Sequence, residues 1–474
     1  MKLQTGCHVE TPYGAGTVSS SLADRFQILL NRRPIKLRFT LAQLVHHSTC
    51  PCLAAQSSHT REPLDATAAN AVESSPDGSR IHLPQASSAE GLKPLRERYM
   101  IEALRYGLVP GQRCSEITVG VERLTNWVEL VLPESKEPKI AQVIGAFGTG
   151  KSHMMNLVRE CAHAKNFVTA HVEVDGHHIS FANPAKLFYQ LCTHLQDPNG
   201  EKISPMVLIR KCLKEKSYPV SVREGHDSSC HRILSLAALL SSKGKLDEFE
   251  TLLDDYFTCA QNLTGAQLKS RIRDTVGFTL GTEKFPATVR ATMGVRNIDF
   301  VAALGFLASA CEKSGFSGLV LTFDEFEVEH TGTKASFAKT ISLLHELGHF
   351  VQCAHQKKSK MYVPPWTPAP LGIFFASTGE AGHRGDAAID DLIDEVGGWE
   401  FRLEPFSVEQ YVQLGGKILA YYSKAYSVLA EMTDRELHQR AEKLLEAGDS
   451  GTTRQFIKGV VANLDTRYGP GLHR

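Results

Sequence analysis

Gly145-Ala146-Phe147-Gly148-Thr149-Gly150-Lys151-Ser152 fits the pattern G-x-x-x-x-G-K-[ST]. Its flanks fit as well. Lys139-Ile140-Ala141-Gln142-Val143-Ile144 reads as a buried strand entering the loop, and His153-Met154-Met155-Asn156-Leu157-Val158-Arg159 as a helix leaving it. Strand, Gly-rich loop and helix in that order make a phosphate-binding P-loop. Glycines let backbone N–H groups come close to phosphate oxygens. The helix N-terminus adds its unpaired N–H groups and the positive end of its dipole. Lys151 is expected to reach the β- and γ-phosphates. The Ser152 hydroxyl is expected to help hold Mg²⁺, which keeps several waters and bridges phosphates. ATP and Mg²⁺ are therefore the expected ligands. Gly145, Ala146, Phe147, Gly148, Thr149, Gly150, Lys151, Ser152 and His153 form the expected cradle.

Further along, Gly318-Leu319-Val320-Leu321-Thr322-Phe323-Asp324-Glu325-Phe326-Glu327 is an apolar strand that ends in acids. A strand of a parallel sheet is covered on both faces and so is apolar almost throughout. Its C-terminal end opens at the crevice where ligands bind. This is the Walker B pattern. Asp324 is expected to hold Mg²⁺ through a water, and Glu325 to act as general base on the water that attacks the γ-phosphate. Glu327 is assigned to support Glu325 or to contact a neighbour.

Leu371-Gly372-Ile373-Phe374-Phe375-Ala376-Ser377-Thr378 is a third apolar strand, ending in hydroxyls. In AAA+ ATPases, which this arrangement resembles, such a strand lies between the two Walker strands and its polar end orients the attacking water. Ser377 or Thr378 takes that role here, with helix capping as the alternative for either hydroxyl. Arg454 stands at the start of a C-terminal helix, where an arginine opposes the dipole and points to an anionic partner. It occupies the place of the second sensor in initiator-type AAA+ proteins. Arg384 and Arg402 are candidates for a finger reaching a neighbouring subunit, with a surface ion pair as the alternative for each. The Val119-Gly120-Val121-Glu122-Arg123 element upstream resembles a base-contacting segment, or else it is a turn followed by a surface charge.

The chain has 474 residues, enough for several domains. Lys+Arg and Asp+Glu each number 52, so net charge gives no global argument for nucleic-acid binding. The apolar runs are too short to span a membrane and the start carries no secretory segment. The 11 cysteines are scattered, which fits thiols in a reducing cytoplasm. Cys50-Pro51-Cys52 after His46 and His47 is read as free thiols rather than a metal site.

Residues 1–48 read as a small β unit resembling a Tudor-like barrel, with a basic cluster of Arg32, Arg33, Lys36 and Arg38. Residues 49–90 read as a flexible linker rich in Ser, Ala, Thr, Pro and Asp. The ATPase core is placed at 91–406, with a helical insertion over about 197–297, and a helical lid at 407–474. Asn183-Pro184 reads as the cap and first position of a helix.

Together these pieces resemble the ATP-binding proteins of BREX-type phage-defence systems, specifically the small D component. The resemblance spans roughly Leu92 to Leu464. It rests on the leader Ile101-Glu102-Ala103-Leu104-Arg105-Tyr106-Gly107-Leu108-Val109-Pro110, on Thr118-Val119-Gly120, on the two Walker motifs and on Thr453-Arg454-Gln455-Phe456. It implies an AAA+-like P-loop parallel sheet with a C-terminal helical lid. It further implies an ATPase of prokaryotic antiviral defence, a homo-oligomer that works with a helicase or other defence subunits on double-stranded DNA. The N-terminal barrel and linker depart from the minimal family form. A second reading stays open, in which nucleotide serves to assemble partners with little turnover. A small-molecule kinase suits the long insertion and the lid less well, and no acid–acid–lysine cluster outside the ATP site points to a nuclease.

Overall fold

The apolar runs flanking the P-loop build one parallel sheet, and the helices between them cover it. The computed structural model describes residues 93–474 except 112, 135–136, 177, 215–236, 238–239, 243, 259–269, 272–273, 275–296, 327–332, 356–369, 380–383, 448–451 and 469–474, together with the backbone of five strands within residues 8–46. The chain divides into two units, 1–85 and 86–474.

In the first unit, β1 (His8–Thr11), β2 (Gly14–Leu22), β3 (Arg25–Leu30), β4 (Lys36–Thr40) and β5 (Val45–His46) pair antiparallel in the order β4-β3-β2-β1-β5. The side chains of the basic cluster, the Cys50-Pro51-Cys52 stretch, the linker and the Tudor-like reading lie outside the described residues.

The second unit opens with α1 (Lys93–Arg105), the short α2 (Cys114–Ile117) and α3 (Val121–Val131). Then follow β6 (Lys139–Ile144), α4 (Lys151–Ala164), β7 (Phe167–Glu173), α5 (Pro184–Thr193), α6 (Pro205–Lys214) and α7 (Leu246–Thr258). The rest is α8 (Asn297–Lys313), β8 (Gly318–Asp324), α9 (Lys334–His355), β9 (Leu371–Ser377), α10 (Arg384–Val396), β10 (Trp399–Arg402), α11 (Val408–Tyr426), α12 (Asp434–Ala447) and α13 (Thr452–Tyr468). The sheet order is β10-β6-β9-β8-β7, all parallel, so the hydroxyl-ended β9 lies between the P-loop strand and the acid-ended strand. Glu173 stands in register with Asp324, and Ile144 with Ser377.

Every residue of β8 and β9 is buried, as a doubly covered sheet requires. Successive side chains alternate between its faces. Val128, Met154 and Val158 of α3 and α4 pack on Ala141, Val143, Val320, Phe374 and Ala376. The opposite face, with Leu321, Phe323, Ile373 and Phe375, packs on α5, α8, α9 and α10. The described part of the insertion, α6 and α7, joins that same core through Met206, Ile209, Phe249 and Leu253. The expected cap is in place: Lys186 N donates to Asn183 Oδ1 at 3.3 Å, with Pro184 as first helical residue.

A further core lies apart from the sheet. Met100, Ile101 and Leu104 of α1 pack with Tyr411, Leu414, Ile418, Phe456 and Val460 of α11 and α13. The leader helix thus shares its core with the C-terminal helices instead of the sheet it precedes in sequence. Arg105 reinforces this with a two-pronged pair to Asp465 at 2.7 and 2.8 Å and a bond to the Tyr426 hydroxyl at 2.9 Å. The final strand ends at Arg402. Leu403 N still donates to Ile144 O at 2.7 Å, but Pro405 has no N–H to continue the ladder. Ser407 and Gln410 then form a reciprocal capping box that starts α11. α11 ends where Ser427 takes a left-handed φ of 55°, and α12 follows.

Candidate active site

The carboxyl end of β6 runs into a loop that only glycines can make. Gly148 and Gly150 have φ of 81° and 105°, in the region where L side chains are strained. At Gly145 a Cβ would lie 2.4 Å from Thr149 Oγ1. Gly145 N donates to Ser377 O at 3.1 Å, which ties the loop to β9. α4 starts at Lys151, so its first N–H groups face the loop's interior. Lys151 is buried, and its Nζ donates to Gly145 O at 3.0 Å. The ammonium is therefore held over the loop, where a phosphate chain would compete for it.

One cavity collects the separate pieces. Phe147, Gly148, Thr149, Gly150, Lys151, Ser152 and His153 line it, and so do Asp324 and Glu325. The lid contributes Thr453 and Arg454. Leu104, Val109, Pro110, Ile117, Val119 and Leu414 give it an apolar end. A cavity with one phosphate-binding end and one apolar end suits a nucleotide.

Asp324 is buried at the end of β8, and Glu325 N donates to its Oδ1 at 2.9 Å. In a continued strand, Asp324 and Glu325 would face opposite sides of the sheet. Glu325 instead takes a left-handed φ of 57°, rare for a residue with a side chain, and both acids line the same cavity. Phe181 packs edge-on against Phe323 and Phe326 at 4.9 and 5.0 Å and so braces this turn from below. Burial, then the charges of Asp324 and Glu173, push the Glu325 carboxyl above its ordinary range, while Lys151 and Arg454 pull the other way. Glu173 escapes a motif-based reading. It ends β7 in register with Asp324, and burial and Asp324 raise its carboxyl too. Parallel strands of matched length were the available signal.

The third strand ends in hydroxyls that bond other side chains. Ser377 lies on the face of Phe375 and is absent from the cavity lining. Its hydroxyl accepts from Gln142 Nε2 at 2.8 Å, and the same amide donates to Asp390 at 2.9 Å. Thr378, one residue past the end of β9, is likewise absent from the cavity lining. The Thr378 hydroxyl donates to Asp386 Oδ2 at 2.6 Å, and Gly379 N donates to the same oxygen at 2.9 Å.

Arg454, in the first turn of α13, lies with its guanidinium 5.9 Å from the centre of the Phe147 ring. A Cβ on Gly107 would come within 2.7 Å of Arg454 Cγ, so the leader's turn is shaped around this side chain. Arg402 is exposed and 3.5 Å from Glu400, away from the cavity. The Arg384 side chain and Glu327 lie outside the described residues. Gly120 is the left-handed cap of α3, and Arg123 lies over the Phe401 ring at 5.3 Å, so Thr118, Val119 and Leu124 represent this segment in the cavity.

His153, the last of the expected cradle residues, bonds Thr118 Oγ1 at 2.7 Å through Nε2. Burial, then the charge of Lys417, lower it to about 4. It is a neutral imidazole that joins the P-loop helix to the leader.

Ser152 and buried Asp324 are hard oxygen donors on the same cavity wall, the donor set that Mg²⁺ takes beside phosphates. The residues present therefore fit a magnesium nucleotide.

A family described as BREX system ATP-binding protein BrxC/D matches residues 92–336, more than half of the chain. No curated protein matches. The Aeropyrum pernix ORC2 protein in its ADP form is 11% identical with a TM-score of 0.30, over 82% of this chain and 71% of that one. Its ADPNP-ADP complexes give 11% and 0.34, over 73% and 66%.

Proposed function

We propose a function from one premise: the chain belongs to the family of BREX system ATP-binding proteins BrxC/D. Within that family it is a Mg²⁺-dependent ATPase of a cytoplasmic anti-phage defence system, acting as an oligomer with other defence subunits, a helicase among them, on double-stranded DNA. The observation that carries the hydrolytic part is the convergence of Lys151, Asp324 and Glu325 on one cavity, which the left-handed turn at Glu325 achieves.

The roles follow from chemistry. Loop N–H groups and Lys151 bind the triphosphate and neutralise its charge. Ser152 and Asp324 would hold Mg²⁺, which would supply charge neutralisation to the phosphates. Glu325 takes the proton of the attacking water. A carboxylate above its ordinary range is a stronger base than an exposed one and closer to the working pH. Arg454 brings a cation from the lid to the same space. Ser377 and Thr378, at the end of β9, are the hydroxyls to test for water orientation.

The test is ATP turnover by the purified full chain, with and without double-stranded DNA, against Lys151→Ala. Turnover that rises with DNA and is lost in the variant supports the whole reading. Turnover lost in the variant but indifferent to DNA keeps the ATPase and removes the direct DNA role. Equal turnover in both proteins overturns the site.

A further inference from the structure

The apolar end of the cavity is walled by the short segment 114–119, and that wall is suspended between two elements. From the P-loop helix α4, His153 Nε2 meets Thr118 Oγ1 at 2.7 Å, and Glu160 accepts from Ser115 N at 3.2 Å and from the Ser115 hydroxyl. From the lid helix α11, Lys417 Nζ donates to Glu116 O at 3.1 Å and to Thr118 O at 2.8 Å. Thr118 is buried, and its hydroxyl also donates to Cys114 O at 2.6 Å. With its one proton spent there, the hydroxyl receives the His153 N–H. Leu414, one turn before Lys417 on α11, lines the cavity itself.

We propose that Lys417 is a positioning residue for the nucleotide base: it hooks the lid to the carbonyls of the 116–118 wall, and through Thr118 and His153 to the P-loop helix, so that base affinity depends on where the lid sits. An ammonium bonded to two carbonyls fixes both their position and the lid's approach, and hydrogen bonds to charged groups are among the stronger ones. Lys417 bonds carbonyls at the apolar end of the cavity, and its link to the P-loop helix runs through Thr118 and His153. Its effect should therefore fall on the base and spare the triphosphate end.

This inference rests on the ATP-site reading, and the experiment separates the two. Affinities for ATP and for inorganic tripolyphosphate are measured by calorimetry on the full chain and on Lys417→Met, Lys417→Arg, Thr118→Val and Lys151→Ala. Lys417→Met should weaken ATP by about tenfold while tripolyphosphate stays within about twofold. Lys417→Arg should recover most of the loss, because it restores a donor of the same charge. Thr118→Val leaves the Lys417 contacts to backbone carbonyls in place but cuts the His153 link, and should weaken ATP in the same selective way. Unchanged ATP affinity in Lys417→Met overturns the proposal, and so does an equal loss of both ligands, which would mean a general collapse of the site. An unmodified chain that binds ATP no better than Lys151→Ala would overturn the ATP-site reading itself.

Discussion

At the scale of residues, the chemistry depends on a few side chains held in unusual settings. The P-loop was legible in sequence because its function is local: glycines at fixed spacing, then Lys151. The position of Glu325 was legible as an acid after a strand, but the turn that brings it into the same cavity as Asp324 was not, since no composition marks a left-handed φ at a glutamate. Between Ser377 and Thr378 the sequence leaves the choice open, and each hydroxyl has a protein partner, Gln142 for Ser377 and Asp386 for Thr378. Three histidines packed around this core, His153, His163 and His171, are each lowered to about 4, with burial the leading cause. In the unfolded chain such groups titrate near 6.5. Between those values unfolding takes up protons, so stability is full above about 6.5 and is lost as pH falls toward 4. The thermal midpoint should drop between pH 7 and pH 5. His171→Gln, which can keep a bond to Thr322, should flatten the slope by up to about 1.4 kcal/mol per pH unit. A midpoint independent of pH over this range would refute the neutral-histidine account.

At the scale of elements, the informative feature is α1. Its apolar residues are visible in sequence, yet periodicity does not say what they face. The structure gives them to α11 and α13 across a separation of more than 300 residues. Ile101, fully buried there, supplies the test. Ile101→Ala should destabilise the α1–lid core by about 2–4 kcal/mol. Because the same helix carries Leu104 into the cavity, ATP should protect the variant in hydrogen exchange of α1 and α13 more than it protects the strands. Uniform protection across the sheet and the lid would argue against α1 as part of the lid. The break between α11 and α12 is set by single-residue geometry at Ser427, which sequence periodicity does not show.

At the scale of the molecule, the nucleotide cavity is where two cores meet. The sheet contributes the loop and the acids, and the α1–lid core contributes most of the apolar wall and Arg454. A ligand that touches both will bias their relative position by its differential affinity, which is the minimum a nucleotide-driven switch needs. Family membership places this chain among BREX ATP-binding proteins, and the convergence of Lys151, Asp324 and Glu325 on one cavity supports the proposal that it hydrolyses ATP. The measurement that tests this most directly compares ATP affinity and ATP turnover in the parent chain and in Glu325→Gln, with Mg²⁺ present. The account predicts affinity within a few fold and turnover lower by about 10²–10⁴. Turnover equal to that of the parent would contradict it, because the acid that the left-handed turn delivers to the cavity would then have no part in the reaction.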